Sequence, residues 1–318
     1  MSRPLRPPRQ RGAALLTAMV IVTLVATLAS AMVWQQWRAV QVEAAERGRL
    51  QSAWILTGAL DWARLILRAD VRSGRPTALT EPWATPLAEA RLSTFLAADK
   101  DHTDDATEAV LSGAIADAQS RYNLSNLIVD GKVSAADLVV FRRLCGLAGV
   151  STGVADALAG RLRDALAVAD GAQPQPAGAP LAPQSVAQLA WLGVDALTLQ
   201  RLAPLVVVLP LPTPVNLNTA PREVIAAVID GLDLGGAERL VQARQRAPFQ
   251  NAAGVAPFLP ASAAIDPRQA DFRSNYFEVS GRLRLGDRVL EERSLVLRRG
   301  TDVVPLRRER TSLSSPAG

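Results

Sequence analysis

From Ala13 to Trp37 the chain carries no charge, no proline and no glycine. At about 1.5 Å per helical residue such a run covers roughly 35 Å, enough to cross the ~30 Å hydrocarbon core of a bilayer. After Val33 the pattern changes but does not stop. Leu50, Trp54, Ile55, Ala59, Trp62, Leu65 and Ile66 recur at spacings near three and four, and no proline appears until Pro76. That is the period of an amphipathic helix. The pattern therefore predicts one helix from Ala13 to about Asp70, roughly 85 Å long if unbroken, with bends at Gly48 and Gly58.

Beyond this helix the periods are shorter. Residues 71–108 are rich in turn formers and acids and read as a loop with a short helix. AVLSGAIADAQSRYNLSNL then reads as a strand followed by a turn, and two helical stretches follow, separated by the Pro/Gly/Ala-rich linker 171–183. In NYFEVSGRLRLGDRVLEERSLVLRR, Phe277, Val279, Leu283 and Leu285 share a face, and the chain turns at Gly286-Asp287 and returns from Val289 to Leu297. This alternation predicts a β-hairpin. Residues after about Gly300 lack periodicity and are expected to form a disordered tail. A weak repeat lies between these parts: RYNLSNL (121–127) and PVNLNTA (214–220) each introduce a helix. Asparagine suits turns and N-caps, and Pro221 suits a first helical turn.

Charge changes the picture less than the totals suggest. The 318 residues are 49% hydrophobic, enough for a buried core, and carry a formal net charge of +5. Arg3, Arg6, Arg9 and Arg11 all precede Gly12; without them 31 basic residues face 30 acidic ones. The basicity lies where it orients a membrane segment, amino terminus in the cytoplasm, rather than over a nucleic-acid face, although Arg298, Arg299, Arg307, Arg308 and Arg310 make the end of the chain basic. Cys145 is the single cysteine, so no intrachain disulfide can form. His102 is the single histidine and sits in an acidic stretch with Asp99, Asp101, Asp104 and Asp105. No Ser/His/Asp or Cys/His constellation emerges, and the chain reads as a non-enzyme. A rival reading of the front end is a secretory signal peptide cut after Ala29-Ser30-Ala31, which would leave a mature chain starting at Met32.

A basic leader ending in glycine, an apolar run directly after it, and a long helix continuing into a soluble domain together resemble the type IV pilins and type II secretion pseudopilins. The resemblance implies that a prepilin peptidase cuts between Gly12 and Ala13 and methylates the new amino terminus. Pilins carry glutamate at mature position five, where this chain has Thr17. The QRGxALLT arrangement without that acid, together with the paired NLN-type segments, is similar to the secretion protein K family of minor pseudopilins over most of residues 13–299. The resemblance implies an α+β pseudopilin fold. It has a long amino-terminal transmembrane helix, a small antiparallel sheet and a large inserted helical domain of SAM-like or helix-hairpin-helix-like type. It divides the chain into a cleaved leader (1–12), a transmembrane part (13–37), a periplasmic helix with the first part of the α/β domain (38–120), an inserted helical domain (121–272), a hairpin completing the sheet (273–299) and a tail (300–318). It implies a subunit anchored once in the inner membrane with its carboxy-terminal domain in the periplasm. Its partners would be other minor pseudopilins in a pseudopilus tip complex and the inner-membrane assembly platform, serving export of folded proteins across the outer membrane.

Two stretches suggest other chemistry. Asn126 to Asp137 matches the latter half of a twelve-residue EF-hand loop, with Asp130 at position five, Gly131 at six, Ser134 at nine and Asp137 at twelve. Ile128 at position three offers no ligand, and the alternative is a turn followed by a helix capped by Ser134. The family resemblance implies calcium in the globular domain without fixing its ligands; the loop pattern offers Asp130, Ser134 and Asp137 as candidates. VNLNTAPREVIAAVIDGLDLGGAERLVQARQRAPFQNAAGV looks like the helix-hairpin-helix of membrane-anchored DNA-uptake receptors. Arg222, Arg239, Arg244 and Arg246 are there balanced by Glu223, Asp230, Asp233 and Glu238, so nucleic acid is not the favoured partner.

Overall fold

A computed structural model describes residues 11–91, 109–169, 180–261, 263–286 and 288–314. The leader up to residue 10, the acidic stretch holding Asp99, Asp101, His102, Asp104 and Asp105, most of the 171–183 linker, and Asp287 of the expected turn lie outside the described residues. The chain divides into two compact units, residues 1–55 and 56–318.

The described part of the first unit is all helix, belonging to α1 (Arg11–Arg72), which continues through Gly48 and Gly58. Within its apolar run every hydroxyl bonds back to a carbonyl of the preceding turn: Thr17 to Ala13, Thr23 to Met19 and Val20, Thr27 to Leu24, and Ser30 to Ala26, all at 2.8–3.0 Å. A helix surrounded by lipid has no water to satisfy such groups, so back-bonding is the arrangement it requires.

The second unit opens on the last turns of α1. A 3-10 turn at Pro82–Ala84 leads into β1 (Leu87–Arg91), and β2 (Ala109–Asp117) follows. Residues 87–91 were expected to be loop. LAEAR has no β-branched or aromatic residue to announce a strand, and pairing with β2 makes it one.

The helical part begins at β3 (Tyr122–Asn123). A hairpin of β4 (Ile128–Val129) and β5 (Lys132–Val133) precedes α2 (Ala135–Leu147), α3 (Thr152–Ala169) and α4 (Ala196–Leu202), and the chain returns through β6 (Val206–Val207), which pairs with β3 in parallel. A second module repeats the plan. It leaves through β7 (Val215–Asn216), passes α5 (Arg222–Val228), α6 (Leu234–Arg246) and α7 (Ala252–Val255), and returns through β8 (Ala270–Asp271), parallel to β7. The two modules share one core, with Phe141 and Leu144 of α2, Leu158 of α3, Ile225 of α5 and Leu240 of α6 all buried in it. Arg143 of α2 ties them at the surface by donating to the Ala227 carbonyl and to Asp230.

The chain then closes the sheet with β9 (Tyr276–Leu285), β10 (Arg288–Arg299) and β11 (Asp302–Ser314), giving the antiparallel order β1-β2-β9-β10-β11. The expected disordered tail is therefore corrected: residues 302–314 are a strand paired along the whole of β10. Four charged residues in succession, Arg307 to Arg310, hide its alternation. Val303 nevertheless packs in the core, and Arg310 reaches the buried carboxylate of Glu292. Pro305 and a register shift beside it mark β11 as an edge built against further pairing.

One face of the sheet packs on α1: Leu60, Ala63 and Leu67 meet Phe277, Val279, Val296 and Val303, and Trp83 sits edge-on to Phe277. The opposite face carries Tyr276, Leu295 and Leu297 against Val207 and Leu209 from the first module.

Candidate functional site

Three places could carry function: the outward side of α1, the junction between sheet and helical modules, and the tight turns of the modules.

On α1, Leu15, Leu16, Met19, Ile21, Val22, Leu24, Leu28 and Met32 are all more than half exposed. So are Leu50 and Trp54 in the first unit, and Trp62 and Leu65 in the second stand half exposed. The helix is long and apolar enough to cross a membrane. Gly12 and Ala13, the expected cut, lie in its first turn. Thr17 makes no demand on a partner, because its hydroxyl is already bonded to the Ala13 carbonyl.

The junction is polar and closed. Asp117 ends β2 fully buried, and its two oxygens accept four hydrogen bonds. The backbone N–H of Gln119 bonds one oxygen at 2.8 Å; the Asn216 amide (2.9 Å) and the hydroxyls of Thr219 and Ser274 (2.6 Å each) bond the other. Burial pushes the Asp117 carboxyl up from its ordinary value, and these hydrogen bonds pull it back only in part. Gln119 donates to the Pro214 carbonyl and accepts from the backbone N–H groups of Asn275 and Tyr276. Beside it the guanidinium of Arg298 is buried against Asp70 at 2.5 Å, donates to Thr77 and to the Ser274 carbonyl, and lies 4.8 Å over the Phe277 ring. Arg298 is thus no part of a basic tail. Glu81 lies buried nearby, accepting from the Trp83 indole N–H, and is held above the usual carboxylate range by burial first and by its hydrogen bond with Asp70 second.

The repeated asparagines belong to this framework: Asn123 caps the 3-10 turn Leu124–Leu127 and Asn216 accepts from the Asn218 N–H, as expected of turns and caps, while Ser134, Pro221 and Asp233 are the N-caps of α2, α5 and α6. Asn123 accepts from the N–H groups of Ser125 and Leu209 and donates to the Leu211 carbonyl and the Thr213 hydroxyl. Asn126 pairs with both backbone groups of Thr213, and Asn218 does the same with Phe249. Each amide side chain therefore acts as a short strand, fixing a segment far away in sequence.

The turns do not offer ligand sites. Asp130 and Gly131 both have positive φ and form the two-residue tip of the β4–β5 hairpin. Ser134 accepts from the Asp137 N–H and donates to its carboxylate at 2.6 Å, and the other Asp137 oxygen accepts from the Tyr122 hydroxyl. With both Asp137 oxygens held by Ser134 and Tyr122, and the Ser134 hydroxyl turned to Asp137, these side chains are engaged with one another rather than arranged as a calcium cage. Among the described residues no three His, Cys, Asp or Glu side chains gather in one place. In the α5–α6 hairpin, Asp233 caps α6 by accepting from the Gly236 N–H at 2.7 Å, so a carboxylate holds the place a phosphate would take. Arg244 is buried, donates to the Leu217 carbonyl at 2.6 Å, and is lowered by burial to about 10. Arg222 is paired with Glu223 and Glu238.

The module boundaries decide the family. Two family models described as "Type II secretion system (T2SS), protein K" match residues 120–211 and 215–278, nearly the spans closed by the β3–β6 and β7–β8 pairs. The chain is also similar to the type II secretion system protein K of Klebsiella pneumoniae, 30% identical over 326 residues that cover 92% of this chain and 94% of the relative. The chain belongs to the type II secretion system protein K family. Its likeness to the protein K of Pseudomonas aeruginosa is 29% identity over 308 residues, 88% of this chain and 86% of that one. The fold matches a chain in the crystal structure of the GspK-GspI-GspJ complex from the enterotoxigenic Escherichia coli type 2 secretion system. The TM-score is 0.61 at 19% identity, covering 84% of this chain and 98% of the other. The protein K fold is thus a pseudopilin sheet with a long apolar helix, into which two helical modules are inserted between β2 and β9.

Proposed function

We propose that this chain is a minor pseudopilin of the type II secretion system, a structural and non-enzymatic subunit at the pseudopilus tip. It would be cut between Gly12 and Ala13 by a prepilin peptidase, methylated on Ala13, and held in the inner membrane by residues 13–37 with the remainder in the periplasm. It would act by packing: α1 joins the helices of other minor pseudopilins, the homologues of GspI and GspJ, and the helical modules block addition of a further subunit above. The assembled tip would start the pseudopilus on the inner-membrane platform and support export of folded proteins.

The observation that carries this reading is the surface of α1, uncharged from Ala13 to Trp37 and satisfied internally at every hydroxyl of that run. Such a surface calls for lipid or other apolar helices. The capped α5–α6 hairpin and the buried Arg244 count against a DNA-uptake receptor. Amino-terminal sequencing and mass measurement of the membrane-extracted protein test the reading. An N-methylated Ala13 is expected, whereas a chain starting at Met32 would mean an exported soluble protein.

A further inference from the structure

We infer that the Asp117 cluster is a rigid joint, which locks the helical modules at one angle on the sheet so that sheet and modules move as a single body. The chain crosses from sheet to modules after Asp117 and returns before Tyr276, and two single-chain crossings would by themselves make a hinge. The apolar patch between them, with Val207 and Leu209 against Tyr276, Leu295 and Leu297, holds the parts together but is non-directional and tolerates sliding. The polar bonds are directional, and they tie three separate passages of the chain to one carboxylate. Gln119 belongs to the outgoing crossing, Asn216 and Thr219 to the start of the second module, and Ser274 to the return.

A second set of bonds closes the same junction from the α1 side. The two N–H groups of the Asn216 amide are shared among Asp117, the Thr77 carbonyl and the Ser274 hydroxyl, all within 3.0 Å of its nitrogen. Thr77 in turn donates its N–H to the Phe272 carbonyl and accepts from Ser274 and from Arg298. Rotation of the modules would have to break several of these bonds together and leave buried groups without partners. Asp117 is thus a positioning residue, setting where the modules stand. The inference concerns only the mechanics of residues 56–318 and does not depend on the assembly reading.

The test is a spin-label distance measurement in the full-length protein in detergent, with labels at Lys132→Cys on the first module and Arg282→Cys on the sheet, both exposed positions. Cys145 is buried and its thiol is pushed up to about 12, so it stays unlabelled. A single narrow distance is expected in the parent. In Asp117→Ala the width should at least double, in Ser274→Ala it should grow by less, and in Ser280→Ala, outside the cluster, it should not change. If Asp117→Ala does not fold, Ser274→Ala and Thr219→Val decide alone. Distributions as narrow as the parent's in folded variants of the cluster would overturn the inference, because the apolar patch would then suffice to fix the angle.

Discussion

Along α1, large apolar side chains such as Leu15, Met19, Val22, Trp54 and Trp62 stand outward, whereas at the junction Asp117, Gln119, Asn123, Asn126, Asn216 and Ser274 are buried. Each region inverts the usual placement of polar and apolar groups, and the two inversions mean different things. Buried polar groups are tolerable only when every donor and acceptor is met, and at the junction they are met by partners within this chain. Exposed apolar surface on this scale has no such internal answer. The junction is finished in the single chain, and the helix surface is finished only by something outside it.

The largest effect is expected from breaking the junction where charge is buried. Arg298→Ala removes the cation paired with buried Asp70, so denaturant unfolding of the detergent-solubilised protein should show a loss of about 3–5 kcal/mol. A loss below about 1 kcal/mol would mean that this pair is solvated and the junction open. Asn218→Ala comes next. It leaves both backbone groups of Phe249 unpaired, and about 2–3 kcal/mol should be lost in the same measurement. Ser134→Ala removes an N-cap and its bond to the Asp137 carboxylate and should cost about 1 kcal/mol. If Ser134 were a metal ligand instead, its removal would abolish a calcium-dependent rise in melting temperature, a rise the geometry here does not support. The smallest change in stability, within about 0.5 kcal/mol, is expected for Trp62→Ser on the helix surface. That substitution should nonetheless lower co-purification with the other minor pseudopilins, which separates a surface for partners from one for folding.

The two regions also differ in how far the sequence revealed them. α1 could be read because its signal is local: an unbroken apolar run and then a period near 3.6 lie within successive residues. The β9–β10 hairpin was legible for the same reason, through alternation. The junction was not, because most of its bonds join residues far apart in sequence, from 84 positions for Ser125 and Leu209 through 157 for Asp117 and Ser274 to 228 for Asp70 and Arg298. The repeated NLSN and NLNT segments drew attention to the right asparagines, but local rules assign asparagine to turns and caps and say nothing of a carbonyl returning from another module. β11 was missed because Arg307 to Arg310 mask its alternation, and because the open edge of β10 that receives it exists only in the folded sheet.

Oxidative footprinting of the tryptophans in the full chain, alone in detergent and then assembled with the other minor pseudopilins of its system, tests the contrast most directly. Trp54 and Trp62 are 75% and 50% exposed, and Trp83, packed below the junction, is 1% exposed. The expected result is strong labelling of Trp54 and Trp62 in the single chain, protection of both on assembly, and silence at Trp83 throughout. Equal labelling of Trp54 and Trp62 before and after assembly would contradict the claim that the surface of α1 is the one completed by partners.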